Sequence, residues 1–168
     1  MMSRVSFTHD TLEPMTHDID PTSAPRVPDP SREGGFVGAQ WPASLMERMG
    51  IEVLEHSAAR TVVTMPVAGN TQSAGILHGG ASAVLVETAA SFSAQIHARD
   101  VFGADQGFAV GTEINVSHLR STSSGTVTAT SRALQLGGSQ TVHVVDVLDE
   151  GGKLVATGRV TNRILRRR

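Results

Sequence analysis

The chain has 168 residues, enough for one domain that buries a real core without staples. Fourteen basic against sixteen acidic residues leave a formal charge of −2, and aromatics make up 4%. Both figures argue against a nucleic-acid binder working by phosphate contact or base stacking. Cysteine is absent altogether, which excludes disulfides, thiolate nucleophiles and cysteine-ligated metal sites.

Five of the seven prolines (Pro14, Pro21, Pro25, Pro28 and Pro30) fall in the first thirty residues among Asp, Ser and Thr. No apolar period survives there, so residues 1–38 read as a flexible leader and residues 39–168 as the domain. Acidic residues at 10, 13, 18, 20 and 29, and the lack of an apolar run, fit neither a secretory nor a transit peptide. The cytoplasm is the expected compartment. A short helix is expected from Pro42 to a stop at Gly50. Ile51 to Val67, with Thr61-Val62-Val63-Thr64 at its heart, reads as one strand.

From Gly79 to about Ala98 the chain lacks proline, and glycine ends at Gly80, which predicts one long helix. The polar residues Ser82, Glu87, Thr88, Ser91, Ser93 and Gln95 make it a poor membrane span. Everything after Gly107 reads as strand. The runs are Phe108–Val116, Gly125–Leu136, Val142–Leu148 and Leu154–Leu165, with turns at Gly137-Gly138 and Asp149–Gly152. The order strand, long helix, antiparallel meander predicts an α+β domain.

Glu87 is the one residue certain to be charged between Gly79 and Ile96, and Val84, Leu85, Val86, Ala89, Ala90 and Phe92 surround it. A helix apolar nearly all round is normally buried, and a buried carboxylate needs a partner or a chemical task. Two readings follow. Glu87 lies on an exposed stripe with Ser91 at i+4 and does nothing, or it is a general base or nucleophile in a cleft with Ser91 orienting it. The helix start favours the second: at His78-Gly79-Gly80 uncrowded N–H groups face whatever lies beyond the terminus, ready for an oxyanion. Gly79 and Glu87 are eight residues apart, about 12 Å of rise, too far for one helix to bring both to a single carbonyl. Two antiparallel copies of the helix about a two-fold axis would join them, so an active site at a dimer interface is expected.

The spaced set Gln72, His78-Gly79-Gly80 and Glu87, followed by Gly111-Thr-Glu-Ile-Asn-Val-Ser-His118-Leu-Arg120, resembles the hotdog-fold acyl-CoA thioesterases, phenylacetate-degradation-type branch. The likeness runs from about Trp41 to Leu165. It implies a long central helix wrapped by an antiparallel sheet, paired into homodimers and often homotetramers. The implied activity is hydrolysis of an acyl-CoA, with aromatic acyl groups favoured by the likeness alone, or of an acylated carrier protein, to free acid and thiol, with no cofactor beyond the coenzyme A of the substrate. By the same likeness Glu87 is the catalytic carboxylate, acting as base or nucleophile, and Gly79 supplies the N–H to the thioester oxygen. Gln72 and His78 position water or the thioester, and Ser91 supports Glu87. The coenzyme A arm is expected along Gly111, His118, Arg120, Ser121 and the Gly137, Gly138, Ser139 turn, with Arg120 as phosphate partner. Gln140 and Thr141 follow that turn's serine where related sequences often carry Arg or His.

The other histidines carry weaker expectations. His9 and His17 belong to the leader, His56 to a polar stretch and His97 to the helix end. His143, alternating with Val142 and Val144, is expected to face solvent. No metal-ligand spacing occurs, so no metal site is expected. The terminal Arg166-Arg167-Arg168 reads as a solvated tail. Two rival functions share this fold expectation: a hydratase or dehydratase, and a non-catalytic acyl-CoA binding module.

Overall fold

The computed structural model describes residues 28–29 and 32–167. His9, His17 and the whole stretch before residue 28 therefore lie outside the described residues. The elements are α1 (Leu45–Met49), β1 (Glu52–His56), β2 (Arg60–Pro66), α2 (Gly79–Phe102), β3 (Gly107–His118), β4 (Thr126–Leu136), β5 (Gln140–Asp149) and β6 (Leu154–Arg166). All six strands join one antiparallel sheet in the order β1-β2-β4-β5-β6-β3. α2 packs against that sheet, touching β2 to β6, which is the expected hotdog architecture.

Alternation along the strands builds the core. On β5 Thr141, His143, Val145 and Val147 are buried, and on β6 Val155, Val160, Asn162 and Ile164 are. Small residues on α2 (Ala81, Ala89, Ala90, Ala94) let the helix approach the sheet closely, while Leu85 and Val86 fill the space between them. α2 runs four residues beyond the expected end because Arg99 and Asp100 continue its polar side, and it stops at Gly103, whose φ is +96°.

Several expectations are corrected. The stretch 51–67 is a hairpin rather than one strand. Ser57 reverses the chain, its N–H and hydroxyl both donating to the Arg60 carbonyl while its oxygen accepts from the Arg60 N–H. The strands after α2 are not a simple meander: β4, β5 and β6 are, but β3 crosses to the far edge beside β6. The assumed phase of β5 is inverted. His143 points inward in step with Val145 and Val147, and its Nε2 lies 3.1 Å from the Ala58 carbonyl. His56 is buried as well, stacked on Phe36 with Nδ1 accepting from the Phe36 N–H. Phe36 thus packs in the core, and the Gly34 and Gly38 N–H groups bond to His56 and Val53 carbonyls, so the leader boundary at residue 38 falls inside packed chain. Arg166 ends β6 opposite Gly107, and the Arg167 N–H bonds Gln106, so these two residues are not a loose tail.

Candidate active site

α2 begins with a cap that leaves one donor spare. His78 is extended (φ −70°, ψ 132°), and its Nδ1 accepts the Gly80 N–H at 2.8 Å. The His78 carbonyl takes the Ala81 and Ser82 N–H groups. The Gly79 N–H is then the donor of the first turn with no acceptor among the described residues, sitting at the positive end of a 24-residue helix. With Nδ1 accepting, the neutral ring carries its proton on Nε2, available to a ligand.

The loop before the cap is held from both sides. Asn70 Nδ2 donates to the Met49 and Pro66 carbonyls, and its own carbonyl accepts the His78 N–H. A bridge from Thr71 to Leu77 and a Gln72 N–H···O bond to Ile76 close the turn that carries Gln72. A cleft of about 370 Å³ opens here, and Gln72, Gly79, His118, Arg120 and Ser121 all line it. A methyl group placed on Gly79 would stand 2.9 Å from His118 Nε2, so the imidazole lies directly over the helix start.

β3 runs back along α2, so successive sites are stacked. His118 meets Gly79, Gly111 meets Glu87, and Gly107 and Ala109 meet Gln95. A methyl group on Gly111 would stand 2.9 Å from Glu87 Oε1, which places the carboxylate on the strand backbone. The Ser91 hydroxyl donates to Asn162 Oδ1 at 3.1 Å, and that oxygen is 3.8 Å from the same Gly111 position. Asn162 is fully buried, and its Nδ2 has no partner among the described residues. Sequence reasoning missed Asn162 because an isolated Asn in a β-strand carries no motif; its register opposite Gly111 is what brings it to Ser91.

The expected residues therefore separate into three groups. Gln72, His78, Gly79, His118, Arg120 and Ser121 gather at the helix start. Glu87, Ser91 and Gly111 gather two turns on. Gly111, expected beside the coenzyme, is thus a floor for Glu87. Gly137, Gly138 and Ser139 lie at the other end of α2, where the Gly137 carbonyl is 2.9 Å from His97 Nε2. Within one chain that turn is not brought to Arg120. Glu87 is also not sunk in the apolar interior: on the single chain it is exposed. The reason is geometric. The buried arc of α2 is wide but not closed, and the flank carrying Glu87 turns toward the edge strand β3 rather than the middle of the sheet. Among the described residues no cluster of His, Asp or Glu is arranged to hold a metal, and no helix is long and apolar enough to cross a membrane.

Residues 74–156 match the family model described as the thioesterase superfamily. A putative esterase, ComA2, of Bacillus subtilis is 38% identical over 125 residues, spanning 74% of this chain and 96% of that protein. The chain belongs to the thioesterase superfamily. A second relative, named 1,4-dihydroxy-2-naphthoyl-CoA hydrolase, from Listeria monocytogenes, is also 38% identical, over 74% of this chain and 98% of its own length. Among solved thioesterases, a point mutant of PA1618 from Pseudomonas aeruginosa superposes with a TM-score of 0.68 at 31% identity, covering 74% of this chain and 88% of that one. This chain is a thioester hydrolase by family, and its long helix on a six-stranded antiparallel sheet is the family's hotdog fold.

Proposed function

We propose that the protein hydrolyses acyl-CoA thioesters to the free acid and coenzyme A at two equivalent sites of a homodimer. In each site the Gly79 N–H of one subunit binds the thioester oxygen and Glu87 of the other acts on the carbonyl carbon. The observation that carries this reading is the pairing of a spare donor with an uncovered acid. The Gly79 N–H lacks an acceptor among the described residues, and Glu87, about 12 Å along the helix, is exposed on the flank that an antiparallel copy would cover. The neighbouring edge supports the same pairing. Among the described residues β3 bonds only to β6, leaving the other edge of this twelve-residue strand unpaired there, and Val110 and Ile114 on it are each 41% exposed.

Oxygen, from water deprotonated by Glu87 or from the carboxylate itself, bonds to the carbonyl carbon as the negative charge moves to the carbonyl oxygen, against Gly79 N–H. The tetrahedral centre collapses, the C–S bond breaks, and the departing thiolate takes up a proton. In the direct route, water then cleaves the acyl-glutamate anhydride and returns the carboxylate. Gln72 and His78 Nε2 hold water or the thioester at the cleft, Ser91 and Asn162 fix the flank beside Glu87, and His118 covers the reacting group. Arg120, exposed at the cleft mouth, meets a coenzyme phosphate, with the partner's turn at 137–139 closing over the nucleotide arm. The likeness to the naphthoyl-CoA hydrolase supports coenzyme A as the carrier.

Subunit mixing tests the shared site. Gly79→Pro removes the N–H at the first helical position, where the backbone tolerates proline and His78 is already extended. Its ring also pushes the His118 imidazole aside, so Gly79→Ala, which keeps the N–H and adds the same Cβ, is the control. Glu87→Ala and Gly79→Pro homodimers are each expected to lose at least ~100-fold in kcat. Equal mixing after subunit exchange is expected to restore about a quarter of wild-type activity, since about half the dimers are hybrids with one intact site each. Hybrids shown to form, yet no more active than the parents, would refute the shared site.

A further inference from the structure

Four buried side-chain polar atoms lack a partner among the described residues, and three of them lie together on β5 and β6: Thr141 Oγ1, His143 Nδ1 and Asn162 Nδ2. Thr141 stands directly opposite Asn162 in the β5–β6 ladder, and His143 follows Thr141 on the same inward face. All three residues are fully buried. A buried donor or acceptor left unmet is costly, so three side by side call for a shared partner.

Their hydrogen-bonding needs are complementary. His143 Nε2 lies 3.1 Å from the Ala58 carbonyl, which can only accept, so Nε2 carries the ring proton and Nδ1 is an acceptor. Asn162 Nδ2 can only donate, and the Thr141 hydroxyl does either. That set suits one buried water, which typically makes about three hydrogen bonds.

The other end of the Asn162 amide reaches the flank that carries Glu87. Its Oδ1 accepts the Ser91 hydroxyl at 3.1 Å. The same oxygen lies 3.8 Å from the point above Gly111 that Glu87 Oε1 approaches to 2.9 Å. A serine owns a single hydroxyl proton. With that proton committed to Asn162, the half-buried Ser91 turns only lone pairs toward Glu87. It cannot donate to the carboxylate, and it can accept from a water lying beside it. Asn162 is wholly buried, so it touches neither that water nor the thioester and acts through Ser91.

We infer that Asn162 is a positioning residue for hydrolysis: a water buried among Asn162, Thr141 and His143 fixes its amide, and the amide fixes the direction of the Ser91 hydroxyl beside Glu87. The assignment rests on the thioesterase reading above and extends its machinery from α2 into the sheet.

A double-mutant cycle on benzoyl-CoA tests it. Asn162→Leu, close in shape but without the amide, is expected to lower kcat about tenfold with KM within about twofold of wild type. Ser91→Ala is expected to show the same fall, and the double variant no more than either, because one residue works through the other. Thr141→Val removes one support of the water and keeps its shape; a fall of about threefold is expected, absent once Ser91 is alanine. Should Asn162→Leu fail to fold, the Thr141→Val and Ser91→Ala pair carries the same cycle. A high-resolution crystal structure is expected to show the water within hydrogen-bond distance of all three side chains. Wild-type kcat in Asn162→Leu, falls that multiply in the double variant, or an Asn162 amide bonded elsewhere would overturn the assignment and leave the hydrolase reading standing. A wild-type protein that hydrolyses no acyl-CoA would sink the hydrolase reading and the role of Asn162 with it, even with the water in place.

Discussion

The two sides of α2 divide stability from chemistry. On the side facing the sheet, Ala81, Leu85, Val86, Ala89, Ala90 and Ala94 are buried and make no polar demand. On the flank facing β3, Glu87, Ser91, Gln95 and Arg99 recur every fourth residue, so they form a polar row winding slowly along the helix. Each of the last three finds something different: Ser91 donates to Asn162, Gln95 is tied to the start of β3, and Arg99 is left partly unsatisfied. The apolar side could be repacked with other small residues and still hold the sheet. The polar row could not, because each member's place is set by the strand position opposite it.

The division can be broken from either side. Leu85→Ala removes a fully buried side chain from the apolar side and is expected to lower unfolding free energy by about 2–5 kcal/mol. Chemical denaturation would record that loss, while kcat per folded molecule stays near wild type at low temperature. Loss of kcat as well would show that the two sides are mechanically coupled.

Gly111→Ala probes the other side. Gly111 has no left-handed backbone requirement, so alanine is tolerated by the strand, but its methyl would press on Glu87 Oε1. A roughly tenfold fall in kcat with little change in melting temperature is expected, the usual consequence of displacing a reacting group by a fraction of an ångström. A variant with wild-type kcat would show that Glu87 need not rest on β3.

The smallest effect is a pH dependence of the apolar side. Burial lowers the pKa of His56 and of His143, each only partly offset by a backbone hydrogen bond. Both stay neutral in the folded chain while the unfolded chain begins to protonate near the ordinary histidine pKa of about 6.5. Stability is therefore complete above that value and falls as pH drops from it through the lowered folded values. Melting temperatures from pH 8 to 5 should decline more steeply for wild type than for His143→Val. Parallel curves would show that His143 does not titrate in this window.

Much of the fold was legible because local signals were strong. The prolines, the glycine-free run of α2 and the turns at 137–138 and 149–152 mark the elements without reference to contacts. The Ser57 hairpin was not legible, since it is made by a hydroxyl in a stretch with no glycine, proline or asparagine. The inward phase of His143 was not either, because valines on both sides of it fit either phase. The spacing from His78 to Glu87 was readable as chemistry, but not the exposure of Glu87, because an Ala- and Ser-rich helix does not disclose which flank the sheet leaves open.

What the sequence determined by itself was the long helix, its glycine start, the lone acid two turns in, and membership of a thioesterase pattern. These are facts of spacing, and spacing along one helix fixes rise and rotation. Tertiary structure decided the rest. It set β3 at the sheet edge beside β6, so that His118 falls on Gly79, Gly111 on Glu87 and Asn162 near Ser91, and it folded Phe36 and Trp41 onto Phe92. Those meetings join residues from 24 to 71 positions apart in the chain, and only the tertiary packing of strands and helix chooses among the many partners that local sequence permits.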